Sequence, residues 1–353
     1  MNRFIIHIDA DCFFAAIEMR DRPELFDRPM AIGGSANRRG VISTCNYSAR
    51  QFGVRSAMAT AYALRLCPGL TLLEHRMALY REVSQEMMAI FHKYSDIVEP
   101  LSLDEAFLDV SSNCESLQEA GSLAQEIRQK VWQTLGITVS AGVAGNKFLA
   151  KVASDWRKPD GMFVIDSDRQ NSFVAQLPIR CIPGVGKVTS DQLQFMGVSL
   201  CQDLYCHSEN DLVKRFGRFG ARLYHLSRGV DERPVKPTRE RKSVSVEQTY
   251  AQDIESLNAC EALLPELYQR LMLRLEKLPA DTVIAKGFVK IKFSDFRQTT
   301  LERLGGDWAA DAFLPLLAQA YSRGNGRVRL LGLGVRLAGS GPQSAAVEQI
   351  NLL

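Results

Sequence analysis

Two adjacent carboxylates, Asp104 and Glu105, stand between apolar residues, with Val98, Leu101 and Leu103 before them and Phe107, Leu108 and Val110 after them. That pattern describes two short strands with the acidic pair at the turn between them. Adjacent acids repel unless a cation joins them, and hard oxygen donors suit Mg²⁺ or Mn²⁺. A solvated hairpin tip would carry the same residues, so this stretch alone leaves both readings open. A third carboxylate, Asp9, ends the apolar run Phe4-Ile-Ile-His-Ile8 and precedes a helical pattern from Cys12 to Met19. The carboxyl end of a buried strand is a common place for chemistry in open α/β sheets. Asp9, Asp104 and Glu105 from neighbouring strands could hold two divalent ions about 3.5–4 Å apart, the arrangement of in-line phosphoryl transfer. Asp11 opens the helix and reads as its N-cap.

The elements that position these groups follow from periodicity. Residues 1–10 form a strand and residues 12–20 a helix. Met30–Ile32 and Val41–Ser43 are short strands joined by a Gly-rich loop. Asn46 to Gly53 gives one or two helical turns closed by glycine, with Tyr47 and Arg50 three apart on one face. Residues 59–66, 77–93 and 117–135 are helices, 138–144 a strand and 146–155 a helix that carries Lys147 and Lys151 on one face. From Pro178 the character changes. Ile182-Pro183-Gly184-Val185-Gly186-Lys187 matches the hairpin of a helix-hairpin-helix unit, whose glycines admit a backbone phosphate to helix N–H groups. Lys214, Arg215, Arg218 and Arg222 add charge between aromatics. The charged, Pro-containing residues 230–241 read as a linker. Beyond the linker lies a duplicated βαβ pattern, with strands 243–250, 287–293, 296–303 and 327–337 and helices 256–277 and 307–322. Period two places Lys290 with Lys292, and Arg327 with Arg329, on one sheet face each, a platform for DNA or an ordinary polar face.

At 353 residues the chain has room for several compact units, and its 46% hydrophobic and 24% charged content is that of a soluble globular protein. No apolar run is long enough to span a membrane, and the first residues enter a strand without a signal-peptide pattern. The eight cysteines show no zinc-site pairing, Cys201 and Cys206-His207 coming nearest. They read as reduced thiols in a cytoplasmic protein. The net charge is only +3, but residues 166–241 hold 12 Lys/Arg against 9 Asp/Glu, compatible with a polyanion partner there.

Five stretches, in this order, resemble the Y-family of translesion DNA polymerases, in its bacterial DNA polymerase IV (DinB) branch. They are Ile8-Asp9-Ala10-Asp11-Cys-Phe13-Phe14-Ala, Val41-Ile-Ser-Thr44-Cys-Asn-Tyr47-Ser-Ala-Arg50, Ser102-Leu-Asp104-Glu105-Ala, Phe148-Leu-Ala-Lys151-Val-Ala-Ser-Asp155 and Ile182-Pro-Gly-Val-Gly186-Lys187. The resemblance implies an α+β multidomain right hand: palm 1–10 and 74–165, fingers 11–73, helix-hairpin-helix thumb 166–230, linker 231–241, βαβ-repeat little finger 242–340 and a flexible tail 341–353. It implies template-directed, low-fidelity synthesis past damaged DNA without a proofreading exonuclease. Asp9, Asp104 and Glu105 match the catalytic metal ligands for two Mg²⁺ ions (Mn²⁺ as substitute), with the Ala10 carbonyl as a further contact. Thr44, Tyr47, Arg50 and Lys151 match residues that hold the incoming dNTP, Phe14 matches the steric gate under its sugar, and Phe13 lies beside it. Gly184, Gly186, Lys187, Lys290, Lys292, Arg327 and Arg329 are expected on primer-template DNA. The ending Gln349-Ile350-Asn351-Leu352-Leu353 resembles the pentapeptide by which bacterial polymerases bind the sliding clamp. The protein is expected to be monomeric. A metal-dependent nuclease, a nucleotidyl cyclase and a non-catalytic DNA-binding scaffold share parts of this pattern. Tyr47, Arg50 and Lys151 argue against the first, the thumb against the second and the intact carboxylates against the third.

Overall fold

The computed structural model describes residues 3–305, 308–324 and 326–338. The described residues divide into two compact units: those within 1–33, 42–58 and 62–238 form one, and those within 34–41, 59–61 and 239–338 the other.

In the first unit β1 (Ile5–Ala10) runs into α1 (Phe13–Asp21), followed by β2 (Met30–Gly33), β3 (Ile42–Cys45), α2 (Tyr47–Gln51), α3 (Thr60–Leu66, in this unit from Tyr62 on) and β4 (Thr71–Leu73). Then come α4 (Met77–Phe91), β5 (Ile97–Pro100), β6 (Glu105–Asp109), α5 (Leu117–Leu135), β7 (Val139–Ala144), α6 (Lys147–Trp156) and β8 (Met162–Val164). Five strands make one sheet in the order β5-β6-β1-β7-β8, and β2, β3 and β4 make a small second one. β1 is central and antiparallel to both neighbours, with Asp9 paired to Glu105 on one side and Ser140 on the other. Its even-numbered side chains, Ile6, Ile8 and Ala10, join the core built by α4 and α5. Ile5 packs in a second core with Leu149 and Val152 of α6. Period two therefore puts His7 and Asp9 on the α6 side, with Ile5. Helix and sheet touch there: a Cβ at Gly142 of β7 would run into the Ala150 carbonyl and the Ser154 amide.

Four more helices complete this unit: α7 (Ser167–Ala175), α8 (Lys187–Phe195), α9 (Glu209–Phe216) and α10 (Arg218–Ser227). The hairpin before α8 turns at Gly184, φ +104°, where a Cβ would crowd the Phe219 ring. Gly186 caps α8 with open space beside it. Gly217, at φ +60°, makes a second tight joint between α9 and α10.

The second unit holds β9 (Ser243–Ile254), α11 (Leu257–Ala262), α12 (Leu264–Leu275), β10 (Ile284–Phe293), β11 (Gln298–Leu304), α13 (Leu314–Tyr321) and β12 (Val328–Leu337). Its strands form an antiparallel sheet in the order β11-β10-β12-β9, with a core against the helices. Val289 and Ile291 are buried, while Lys290 and Lys292 are only partly buried, as the alternation requires.

Three expectations need correction. Asp11 is not the cap of α1: Cys12 occupies that position in a left-handed conformation without a capping side chain, and Asp11 is buried with polar partners at the cleft wall. The helix expected over 256–277 breaks at Leu263, ahead of Pro265 in the first turn of α12. The first part of the linker is tied down. Asp231 is buried, accepts the Phe148 amide at 3.0 Å and pairs with Arg233 at 2.7 Å, and the Lys236 amide donates to Glu99 at 2.7 Å.

Gly142→Ala should lower the urea midpoint of the protein, by about 1–3 kcal/mol or more in stability, because backbone atoms, not a flexible side chain, occupy the space.

Candidate active site

Asp9 is the last but one residue of β1 and Glu105 the first of β6, so strand pairing alone brings them together. His7, Asp9 and Glu105 each present one ligand atom, all within 4.8 Å of one another. Asp104 lies in the turn and accepts the Ser102 hydroxyl. It lines the same cleft as Asp9 and Ala10, outside that tight cluster.

Each carboxylate of the strand pair has its own cation. Lys158 lies 2.5 Å from Asp9 and 3.3 Å from Asp155. Lys151, on α6, pairs with Glu105. Burial pushes the Asp9 carboxyl up to about 6 despite Lys158. Burial acts the same way on Glu105, but hydrogen bonds from His7 and Lys151 outweigh it and hold that carboxyl down at about 2. His7 is fully buried, and burial lowers it to about 4 against the pull of Glu105. It is therefore neutral near pH 7, and its contact with Glu105 is a hydrogen bond, not an ion pair. Ionised Glu105 can only accept, so Nε2–H donates to it at 3.2 Å, while Nδ1 lies 2.7 Å from the Ser154 hydroxyl, which also reaches the Lys151 carbonyl at 2.8 Å. With both nitrogens engaged, His7 orients Glu105 and is not a free ligand or base.

A cleft of about 160 Å³ opens beside the carboxylates. Thr44 comes from β3, and Tyr47 and Arg50 from α2, with Arg50 4.7 Å from the Tyr47 ring centroid. Asn46 sets the start of α2: its side-chain oxygen accepts the Ala49 and Met30 amides, at 2.9 and 3.1 Å. Lys158, paired with Asp9, lines the cleft as well. Lys151, the lysine singled out from sequence, does not line this cleft and faces Glu105 instead. Lys158 was missed because it lies past the end of α6 in Arg157-Lys-Pro-Asp-Gly161, which reads as a turn. Three acids with too few nearby bases were the signal that could have found it.

Asp11 secures this wall. It accepts from Thr138 at 2.9 Å, Ser140 at 2.8 Å and the Asp160 amide at 2.8 Å, and from the Tyr47 hydroxyl at 3.4 Å. The floor is Phe14, stacked on Tyr80 with centroids 4.4 Å apart and planes at 14°. The Tyr80 hydroxyl donates to buried Glu18 at 2.6 Å, and Arg76 grips both oxygens of that carboxylate at 2.8 and 2.9 Å. Phe13 is buried in the core beside it. Burial pushes the Cys12 thiol up to about 12, so it offers no nucleophile.

The other expected residues are not among those that line this cleft. Gly184, Gly186 and Lys187 form the α8 hairpin, where Lys187 pairs with Asp191 at 3.0 Å. Lys290 pairs with Glu247 at 2.7 Å and Arg327 with Glu255 at 3.4 Å. The described cysteines are all free thiols. Gln349, Ile350, Leu352 and Leu353 fall outside the described residues.

Asp9, Asp104 and Glu105 form a hard-oxygen donor set that suits Mg²⁺ or Mn²⁺. Because Asp9 holds a proton up to about pH 6, a divalent ion must compete with that proton. The affinity of the DNA-free protein for Mn²⁺, read by electron paramagnetic resonance, should fall as pH drops through about 6; a flat affinity from pH 5 to 8 would contradict this.

Comparison with known proteins finds three family models along the chain. Residues 8–155 match the impB/mucB/samB family, 180–231 the thumb domain of DNA polymerase-iota and 241–352 the impB/mucB/samB C-terminal domain. DNA polymerase IV of Ectopseudomonas mendocina (strain ymp) is 55% identical over 336 residues, 95% of this chain and 96% of that protein. DNA polymerase IV of Pseudomonas syringae pv. syringae (strain B728a) is 53% identical over 351 residues, 99% and 98% of the two chains. Among solved structures, a chimaera of the Y-family polymerases Dbh and Dpo4 superposes with a TM-score of 0.87 at 27% identity, covering 94% of this chain and 98% of that one. An insertion ternary complex of Dbh DNA polymerase gives 0.67 at 26% identity, with 94% and 98% coverage. The chain belongs to the Y-family of DNA polymerases, in its DNA polymerase IV (DinB) branch.

Proposed function

We propose that the cleft between Asp9, Asp104 and Lys158 joins a dNTP to a primer 3′ end with the help of two divalent ions. The protein is a DNA-directed DNA polymerase of the translesion type, a right hand with palm, fingers, helix-hairpin-helix thumb and little finger. One observation carries the reading of the site: strand-end carboxylates and a set of cationic and hydroxyl side chains line one cleft with an aromatic floor. A nuclease would need the acids but not the cations facing them.

Asp9, Asp104, Glu105 and the Ala10 carbonyl would hold the ions. Bound there, Mg²⁺ supplies charge neutralisation and lowers the pKa of the attacking hydroxyl. Thr44, Tyr47, Arg50 and Lys158 bind the triphosphate, and Lys151 with His7 orients Glu105. Phosphoryl transfer depends chiefly on such positioning and charge stabilisation. The Phe14 ring, held by Tyr80, leaves no room for a 2′-hydroxyl. His7 is committed on both nitrogens, so the proton leaving the primer hydroxyl does not go to it. The thumb hairpin and the little finger hold primer-template DNA through phosphates, and residues 349–353 tether the enzyme to the sliding clamp. None of the described helices is long and apolar enough to cross a membrane; we place the protein in the cytoplasm, acting as a monomer.

Primer extension with Mg²⁺ and dNTPs tests the function. Asp9→Asn and Asp104→Asn should stop synthesis while DNA affinity survives, and extension by either within about tenfold of wild type would contradict the metal assignment. Phe14→Val should admit ribonucleotides that the wild type rejects. Lys158→Ala should raise the dNTP KM about ten- to hundredfold through loss of a charged hydrogen bond, whereas Lys151→Ala should act on kcat and on the Mg²⁺ requirement.

A further inference from the structure

The hairpin joining β10 to β11 carries an exposed aromatic ring that has no role in the polymerase cleft. Phe296 is 61% exposed and sits at φ +67°, a left-handed conformation that is costly for a bulky side chain. The turn holds it there: the Phe296 amide donates to the Phe293 carbonyl at 3.0 Å, and the Phe293 amide to the Arg297 carbonyl at 2.9 Å. Two cations lie over the ring. Lys292 Nζ is 5.0 Å from its centroid and the Arg329 guanidinium carbon 4.8 Å.

The charges of these two residues set them apart from their neighbours. Across this sheet, Lys290 is paired with Glu247, and Lys286 and Arg336 with Glu302. At the hairpin end, Arg297 is paired with Asp295 and Arg327 with Glu255. Among the described residues Lys292 and Arg329 have no carboxylate partner. Arg329 also lies where the register of β12 slips against both neighbours, between Val328 and Leu330. A bulge of that kind re-aims a side chain. Two uncompensated cations therefore converge on one exposed, flat, apolar surface. A protein partner would favour apolar neighbours round the ring. An anionic chain carrying flat apolar groups between its charges fits better, and single-stranded nucleic acid has that chemistry.

We propose that Phe296, flanked by Lys292 and Arg329, is a stacking site for an unpaired base of single-stranded template DNA, the cations holding the phosphates on either side. The proposal rests on the polymerase function and adds to it a preference that phosphate contacts alone do not give. A base within a duplex has both faces covered, so the ring discriminates between single and double strands.

The test compares full-length wild type, Phe296→Ala and Phe296→Trp for affinity to a fluorescent oligothymidylate and to a blunt duplex. Phe296→Ala should lose about fivefold or more on the single strand and less than about twofold on the duplex. Phe296→Trp should keep the affinity, and its added indole emission should be quenched by oligothymidylate and not by duplex. Unchanged single-strand affinity in Phe296→Ala, equal losses on both substrates, or an indole signal indifferent to the single strand would each overturn the proposal. Wild-type primer extension in the same buffer separates the two readings. Failure there strikes the polymerase assignment, whereas extension with unchanged single-strand binding strikes the stacking site alone.

Discussion

Asp9 and Glu105 face each other across neighbouring antiparallel strands. Like charges at such a spacing, about 5 Å, repel by about 3 kcal/mol at an effective dielectric near 20. No packing of β1 against β6 removes that cost, because the register that buries Ile6 and Ile8 on one face necessarily sets the two acids side by side on the other. The surrounding structure answers the charge. Lys151 and His7 hold Glu105, and Lys158 holds Asp9. The compensation is unequal: Glu105 stays ionised, while Asp9, poorly solvated, keeps an affinity for protons up to about pH 6. An acid whose burial raises its affinity for a proton also has the capacity to bind a metal ion.

Helix α6 supplies this compensation through its spacing. Lys151 and Ser154, three residues apart, share the face laid on β1 and β7, so one reaches Glu105 directly and the other reaches it through His7. The absence of a side chain at Gly142 lets the helix lie close enough for both contacts. Asp11 gives the opposite wall its position, joining β1, β7, the Lys158 loop and Tyr47 at one carboxylate. Local packing on one side and a buried polar hub on the other hold the two halves of the cleft at a fixed separation.

Much of this was legible in the sequence because it depends on short-range periodicity. The strand ending at Asp9, the hairpin around Asp104 and Glu105 and the shared face of Tyr47 and Arg50 all follow from spacing of two or three residues. The fold of the second unit was legible for the same reason, down to the alternation of Lys290 and Lys292 with buried Val289 and Ile291. What escaped is set by contacts distant along the chain. An aspartate at a helix start is ordinarily a cap, and only the approach of Thr138, Ser140 and Asp160 makes Asp11 something else. Lys158 sits in a turn whose composition says nothing of where the turn points. The two short parallel strands, Thr71–Leu73 and Met162–Val164, are each three residues long and leave too little pattern to find.

The loop from Arg157 to Gly161 is fastened at both ends as well as at its middle. Asp160 is held by Arg128 of α5 and by Asp11, and Gly161 passes so close to the Arg157 carbonyl that no side chain fits. Its length is therefore as constrained as its sequence. Most surface turns accept an inserted or deleted residue because only solvent notices. Here one residue more or fewer would move the Lys158 ammonium along the cleft while leaving the sheet and helices intact. Variation in this chain can change the composition of that turn, apart from its lysine, the aspartate paired with Arg128 and the final glycine, but has little freedom to change its count.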